Sequence, residues 1–288
     1  MAESENILYN TYILFDEGNS GMAEFQLLYK VSFYICAAVI CIATQIFVVI
    51  EGWIDRKQTK IFLLLVGDVL VSAVGGIVYK FAQPMAADNE TLRIVMLIFQ
   101  FTDFFAHTAL APLLYLYVQI VTGARYRQSR KVRFLYLIPF ILTEIMVVLN
   151  PMLHWIYSFD AQYEFHRHWG ETVTYLAALF YFVLAVGNII FYWYAVTPRR
   201  RWALMYCFLI TVVGILLQLF SQNLTVELVV ESMALVLIML VVEREDDRVD
   251  EATRTYNRDA LYMDMNNYYR LWRSFHVIYV RVLNYDIL

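Results

Sequence analysis

Residues 227–261 read ELVVESMALVLIMLVVEREDDRVDEATRTYNRDAL, and this stretch decides the fold. Its first half, which ends near Val242, is apolar and long enough to cross a bilayer as a helix. Its second half is rich in charged residues that favour helix and require water. No Gly or Pro interrupts the change from apolar to charged between Val242 and Asp247. The stretch therefore predicts one continuous helix that connects a membrane to a soluble compartment.

The composition of the whole chain is that of a membrane protein. Of its 288 residues, 61% are hydrophobic and 17% are charged, whereas soluble domains have about 45–50% apolar and about 25% charged residues. Cys36, Cys41 and Cys207 lie in apolar runs, so we interpret them as buried hydrophobic residues, not as a disulfide or metal site. The acidic N-terminus has no basic segment before its apolar residues, which predicts that no signal peptide is cleaved.

Seven apolar stretches have about the 20 residues that a spanning helix requires. They predict an all-α membrane protein, a seven-transmembrane helix bundle. The predicted spans are residues 27–50, 60–81, 92–121, 132–149, 172–196, 202–221 and 226–242. We expect an extracytoplasmic N-terminal segment over residues 1–26, a sensor domain over 27–242, and a short cytoplasmic helix and strand extension over 243–288.

Positive residues in the loops predict the orientation of the bundle. The first, third and fifth loops are basic, and the opposite loops are mostly acidic. The basic loops contain Arg56, Lys57, Lys60, Arg125, Arg127, Arg130, Lys131, Arg133, Arg199, Arg200 and Arg201. Because short cytoplasmic loops are enriched in Lys and Arg, we expect the N-terminus outside and the C-terminus inside the cell.

Several ionisable residues lie within the predicted spans, where a charge costs about 2.5–3.5 kcal/mol on insertion scales. They are Asp68, Asp103, His107, Glu144, Glu227 and Glu231. Asp103 and His107 are four residues apart and share a helix face, as do Glu227 and Glu231. One interpretation is structural: interhelical hydrogen bonds or, for Glu227, a solvated helix start. The other is a polar pocket that opens to the outside and binds a small ligand.

Metal and catalytic sites have little support in the sequence. His154, His166 and His168 lie in the fourth loop, but their spacing fits no strong zinc motif, and we interpret them as polar residues of an aromatic-rich lid. No P-loop, G-x-S-x-G, H-E-x-x-H or dinucleotide fingerprint occurs. We therefore expect no cofactor, no metal, no nucleic-acid partner and no enzymatic activity in this chain.

The charged segment after the last span resembles the entry motif of GGDEF diguanylate cyclase domains. Residues 250–261, DEATRTYNRDAL, are similar to the family's form D-x-L-T-G-L-Y-N-R-R-A-F. The matching residues are Asp250, Thr253, Tyr256, Asn257, Arg258 and Ala260, and the departures are Ala252, Arg254 and Asp259. In that family a helix and a strand follow, and residues 275–283 are rich in strand-forming residues. The resemblance implies that the last membrane helix drives a cytoplasmic output module.

Two departures from the family's pattern argue against cyclase activity. Arg281 corresponds to an Asp that binds magnesium in the family, and Leu283 corresponds to the second Asp of the same pattern. A cation at a ligand position repels magnesium. The sequence stops at Leu288, before the GGDEF signature, so we expect a truncated or degenerate, non-catalytic output module.

The membrane part resembles the seven-helix sensor region that precedes bacterial histidine kinases and GGDEF domains. Residues 150–154, NPMLH, are similar to that family's loop after the fourth helix, and residues 218–242 are similar to its last two helices. The resemblance implies a multi-pass protein of the bacterial inner membrane, usually a homodimer, with a cytoplasmic signalling partner.

Our leading hypothesis is a receptor that binds an extracytoplasmic or membrane-borne small ligand and transmits a conformational change through its seventh helix. The residues expected to transmit the signal are Glu243, Asp250, Tyr256, Asn257 and Arg258. One alternative is a transporter or channel in which the intramembrane charges line a pathway. Another is a non-enzymatic membrane assembly protein whose tail recruits a partner. The absence of an internal repeat and the output-like tail favour the receptor.

Overall fold

A computed structural model describes residues 27–52 apart from 30, then 57–160, 163, 165–220 and 226–243, and scattered positions between 255 and 279. The described chain is mostly helical. Its helices are α1 (Leu27–Ile50), α2 (Lys57–Ala82), α3 (Glu90–Val121), α4 (Ala124–Arg127), α5 (Arg130–Leu153), α6 (Trp169–Phe191), α7 (Pro198–Phe220) and α8 (Glu227–Ile238). Short 3-10 helices follow α2 (Gln83–Met85) and α6 (Trp193–Ala195), and α8 continues as a π-helix, Met239–Glu243.

Five helices of the described chain, α1, α2, α3, α5 and α6, are long and apolar enough to cross a membrane. Large apolar side chains cover the outer faces of these helices, including Phe134, Leu135 and Leu142 on α5, each more than half exposed. An apolar surface of this extent is unfavourable in water and matches lipid acyl chains. The prediction of a helical membrane protein is confirmed at this level.

The hydrophobic core lies where α2, α3, α6, α7 and α8 meet. Its largest fully buried side chains include Phe62, Leu65, Tyr117, Ile189, Leu204 and Ile238. The most extensive helix contact joins α2 and α3, which are consecutive along the chain. Asn89 starts α3, because its side chain accepts hydrogen bonds from the amides of Thr91 (2.9 Å) and Leu92 (3.3 Å).

The hydroxyl of Tyr181 on α6 is inserted into the backbone of α5 beside Pro139. It donates a hydrogen bond to the carbonyl of Tyr136 (2.6 Å) and accepts one from the amide of Phe140 (3.0 Å). A side chain that enters the helical ladder next to a proline is a recognised cause of helix bending. The same two bonds connect α6 to α5.

A short β-hairpin lies between α5 and α6. Strands β1 (Tyr157–Phe159) and β2 (Phe165–Arg167) pair antiparallel, with Ser158 opposite His166. We call this end of the bundle the hairpin end. The opposite end carries Arg199, Arg200 and the start of α2, and we call it the basic end.

Asn150 and Gly170 hold the hairpin against the bundle. Asn150 Oδ1 accepts from the amides of Ile156 (2.7 Å) and Tyr157 (3.2 Å), and its Nδ2 donates to the carbonyl of Tyr157 (3.1 Å). A Cβ at position 170 would lie 2.6 Å from the carbonyl oxygen of Trp155, so the close approach of the two backbones requires glycine there.

Three sequence predictions differ from the described structure. The described chain is mostly helical, as predicted, but a short β-hairpin occupies the fourth loop, where the sequence predicted no strand. The predicted fifth span ran to residue 196, but α6 ends at Phe191, since the apolar run continues through the 3-10 helix Trp193–Ala195. Residues 275–279, part of the predicted strand, are not in a strand, and the described residues provide no partner strand for them. The change from apolar to charged after Glu243 lies outside the described residues.

Candidate functional site

A cavity of about 280 Å³ opens at the hairpin end of the bundle. Helices α1, α2, α3, α6 and α8 and strand β2 all contribute to its walls. It is lined by Tyr34, Gly76, Tyr79, Lys80, Gln100, Asp103, Phe104, His107, Phe165, Arg167, Glu171, Thr174, Tyr175, Glu227 and Leu228. Aromatic rings with a few convergent polar groups are typical of sites for small molecules.

Two glycines of α2 allow the walls of the cavity to approach one another. A Cβ at Gly76 would lie 2.2 Å from the ring of Tyr34, so only glycine leaves room for this tyrosine. A Cβ at Gly75 would lie 3.5 Å from the Cβ of Asp103, which is ordinary contact. Ser72 on the same helix also forms a hydrogen bond with Asp103. The small residues of α2 thus bring α1 and α3 to one cavity.

Charged residues of α3 and α8 meet in the cavity. Asp103 and His107 come from α3, and Glu227 comes from the first turn of α8. His107 Nε2 lies 3.8 Å from Glu227 Oε1, which is too far for a hydrogen bond but close enough for electrostatic attraction. Asp68 and Glu231 also interact electrostatically with His107. His107 is thus a single imidazole that interacts electrostatically with four carboxyl groups.

A second polar group lies on the wall that α6 provides. Glu171 is 8% exposed, and its Oε1 lies 3.3 Å from Arg167 Nη1 and 3.3 Å from the hydroxyl of Tyr175. Sequence reasoning missed Glu171, although its spacing of four residues from both partners was a usable signal. The cation of Arg167 is thus paired within the wall of the cavity.

The structure brings three of the six predicted pocket residues to the cavity lining: Asp103, His107 and Glu227. Asp68 and Glu231 are not part of the lining, although both interact electrostatically with His107. Glu231 is 6% exposed, and among the described residues its Oε2 has no hydrogen-bond partner. Glu144 of α5 accepts a hydrogen bond from Thr108 of α3 (2.8 Å), which matches the structural interpretation for that residue.

The aromatic walls had no recognisable signal in the sequence. Tyr34, Tyr79, Phe104, Phe165 and Tyr175 line the cavity. The chain contains 22 Tyr and 20 Phe, and nothing in their spacing separates these from the others. The sequence also gave no reason to place Gln100, Lys80 or Arg167 in a cavity.

The loop histidines make local contacts at the hairpin. His168 Nε2 lies 2.8 Å from the hydroxyl of Ser158, and His166 Nε2 lies 3.3 Å from Asp160 Oδ2. His154 adopts a left-handed conformation (φ 51°) and ends α5. No three His, Cys, Asp or Glu side chains of the described part of the chain come together as a metal site. These contacts agree with the interpretation of a polar, aromatic lid.

A second polar site lies at the basic end, where Glu243 is buried with 1% exposure. Its Oε1 accepts hydrogen bonds from Gln58 Nε2 (2.8 Å) and the hydroxyl of Tyr117 (2.7 Å). Its Oε2 accepts one from the hydroxyl of Thr59 (2.6 Å). We call these four residues the clamp. It fixes the end of the π-helix to α2 and α3.

The position of Glu243 corrects one sequence prediction. The sequence placed Glu243 at the start of the charged extension in water, whereas the structure places it inside the bundle. Of the other predicted transmission residues, Asp250, Tyr256 and Asn257 lie outside the described residues. Arg258 is helical and exposed, and its Nη2 donates to the hydroxyl of Tyr262 (3.1 Å).

Comparison with known proteins adds no family to this description. No family model, no curated protein and no solved structure matches the chain. Function is therefore inferred from the cavity and the clamp themselves.

Proposed function

We propose that this protein is a seven-helix membrane receptor that binds a small ligand in the cavity and transmits a conformational change along α8. The observation that carries the proposal is that α8 joins the two polar sites. Glu227 lies in the cavity, and Glu243, 16 residues further on, lies in the clamp. At a rise of about 1.5 Å per residue, one helix links sites about 24 Å apart.

The seven proposed spans are the five helices that are long and apolar enough to cross a membrane, together with α7 and α8. α7 has 23 residues, about 35 Å of helix, which is sufficient for a hydrocarbon core of about 30 Å. α8 has 12 α-helical residues and a π-helical extension of 5, and both segments pack in the common core. The Lys and Arg residues of the basic loops favour an orientation in which the hairpin end lies outside the cell and the basic end lies in the cytoplasm.

A ligand shifts such a bundle only when it binds one packing better than another. In the cavity the ligand competes for the loose contact between His107 and Glu227. Movement of α8 then strains the clamp, through which Glu243 contacts α2 and α3. The π-helix Met239–Glu243 is the place for a local shift, since π-turns are frequently found at functional sites.

The packing between the cavity and the clamp supports a receptor over a channel or transporter. Buried apolar side chains fill this region, among them Leu65, Val69, Val118, Leu235 and Ile238. A continuous polar pathway would need hydrated or polar walls through this layer. The assembly-protein alternative rests on the tail alone and leaves the cavity without a role.

The tail supports a soluble output beyond the membrane. The exposed fractions of Val277, Ile278 and Tyr279 are 56%, 86% and 83%, which is unfavourable for an apolar segment in water. We infer that an output module or partner covers this segment. In this proposal the output is the non-catalytic, GGDEF-like module that residues 250–261 resemble, in a dimer at the bacterial inner membrane.

Hydrogen exchange of the protein in lipid nanodiscs tests the transmission. Glu227→Gln weakens the contact with His107, and we expect the amides of residues 239–243 to exchange at least about threefold faster or slower, because both sites share one helix. Glu90→Gln, an exposed change at the same end of the bundle, is the matched control and should leave these amides unchanged. Identical exchange at residues 239–243 in wild type and Glu227→Gln would refute transmission through α8.

A further inference from the structure

We propose that the cavity binds a small organic ammonium ion, which Asp103 and Glu227 neutralise and tyrosine rings surround. The inference deepens the proposed function, because it names the ligand class of the receptor's own cavity. It follows from the charge balance of the cavity, the chemistry of its walls and its size.

Around His107, carboxyl groups outnumber basic groups. His107 interacts with four carboxyl groups, those of Asp68, Asp103, Glu227 and Glu231, and an imidazolium contributes only one positive charge. Glu227 and Glu231 are 9% and 6% exposed, so water screens them weakly. Buried carboxylates without enough partners are costly, and a bound cation relieves that cost.

The other cations of the lining are engaged elsewhere. Arg167 Nη1 lies 3.3 Å from Glu171 Oε1, in the wall that α6 provides. Lys80 Nζ lies 5.0 Å from the centre of the Tyr79 ring, in a cation–π contact near the end of α2. A bound cation would add to the single positive charge that His107 offers to Asp103 and Glu227.

The walls favour an organic cation over a metal ion. Within the described residues, no three His, Cys, Asp or Glu side chains converge as metal ligands. The cavity lining instead includes the aromatic rings of Tyr34, Phe104 and Tyr175. Ammonium groups bind to the faces of such rings while they donate hydrogen bonds to carboxylates.

The size of the cavity limits the ligand. A volume of about 280 Å³ lies just below the range of about 300–1,000 Å³ that is usual for small-molecule sites. It accommodates an amine with one ring or a short chain. Tyramine has an ammonium group, a two-carbon spacer and one phenol ring, and it is therefore a suitable probe.

The experiment measures binding of three probes of similar shape to the full-length protein in nanodiscs. Tyramine carries a positive charge, 4-ethylphenol carries none, and 3-(4-hydroxyphenyl)propionate carries a negative charge. We expect saturable binding of tyramine at least about tenfold tighter than that of either other probe. We expect Asp103→Asn and Glu227→Gln each to weaken tyramine binding about tenfold, as loss of a charge-assisted hydrogen bond predicts, and to leave 4-ethylphenol unchanged. Glu90→Gln should bind tyramine as wild type does.

Three outcomes would overturn the proposal: no saturable tyramine binding, equal or tighter binding of the neutral or anionic probe, or tyramine binding unchanged by both cavity variants. Hydrogen exchange at residues 239–243 separates this proposal from the receptor function. Charge-selective tyramine binding without a change in exchange retains the ligand class and contradicts transmission. A change in exchange in Glu227→Gln without tyramine binding retains transmission and contradicts the ligand class.

Discussion

Glu227 at the start of α8 and Glu243 at the end of its π-helical continuation lie in opposite kinds of environment. Glu243 is 1% exposed and accepts three hydrogen bonds of 2.8 Å or less. Glu227 is 9% exposed, and its ion-pair partner, His107, lies 3.8 Å away. A buried carboxylate with full hydrogen bonding fixes a structure, whereas one with weak partners is available to a ligand. The same helix thus carries a structural anchor at one end and a receptive site at the other.

Removal of the clamp should produce the largest effect. Glu243→Ala removes the acceptor of the buried hydroxyls of Thr59 and Tyr117 and one of the two acceptors of Gln58 Nε2. Because each buried unsatisfied group costs about 1–3 kcal/mol, we expect the free energy of unfolding to fall by about 3 kcal/mol or more. Thermal unfolding in nanodiscs, followed by intrinsic fluorescence, measures the change.

Glu227→Ala is the matched control for the clamp variant, since it removes the same side chain from the same helix. We expect its free energy of unfolding to stay within about 1 kcal/mol of wild type, because it deletes one of several adjacent carboxyl groups. Equal losses in Glu243→Ala and Glu227→Ala would show that the two sites do not differ in the way described above.

An intermediate effect is expected where the hairpin meets α6. A Cβ at position 170 would lie 2.6 Å from the carbonyl oxygen of Trp155, so Gly170→Ala forces two backbones apart. Overpacking of this kind costs about 1–3 kcal/mol. Because β2 contributes Arg167 and Phe165 to the cavity, we also expect weaker tyramine binding. Thermal unfolding and the binding assay measure both effects.

Gly187→Ala on the same helix provides the comparison, since an added Cβ there meets nothing within 4 Å. It should keep wild-type stability or gain slightly through higher helix propensity. If both alanine variants behave alike, close contact at Gly170 is not what holds the hairpin, and the hairpin end is looser than described.

The smallest effect concerns Tyr157 in β1, outside the membrane-spanning helices. Burial raises the pKa of Tyr157 to about 12. The folded state therefore favours the neutral phenol, and this preference stabilises the fold fully below the ordinary tyrosine pKa near 10 and is lost as pH rises through 12. The unfolding temperature of wild type should fall more steeply between pH 10 and 12 than that of Tyr157→Phe. Parallel curves for the two proteins would contradict this assignment.

The fold was largely accessible from the sequence because bilayer thickness sets helix length. The predicted bounds of the first span, residues 27–50, agree with α1. The hairpin was missed because its strands have three residues each, too few for an alternating pattern, and because Asn150 fixes it through side-chain bonds. Such bonds depend on how the chain folds back and leave no periodic signal.

The candidate site was accessible only in part. The high cost of charge in a membrane indicated Asp103, His107 and Glu227, which line the cavity. The same rule indicated Glu144, which lies outside the cavity lining and accepts a hydrogen bond from Thr108 (2.8 Å), because cost alone does not reveal which way a helix is rotated. Glu243 was assigned to water, since neighbouring charges in the sequence concealed its contacts with α2 and α3.

The pairing of α2 with α3 has a consequence for how the protein is made. Of the five clear membrane helices, α3 is the least apolar, and it carries Asp103 and His107. A helix with such residues partitions poorly from the translocon into lipid alone. Its predecessor α2 is among the most apolar, and its Ser72 is a hydrogen-bond partner for Asp103. Because α2 is synthesised before α3, a polar partner for α3 is already in the membrane when α3 leaves the translocon. We therefore expect the two helices to insert as a pair.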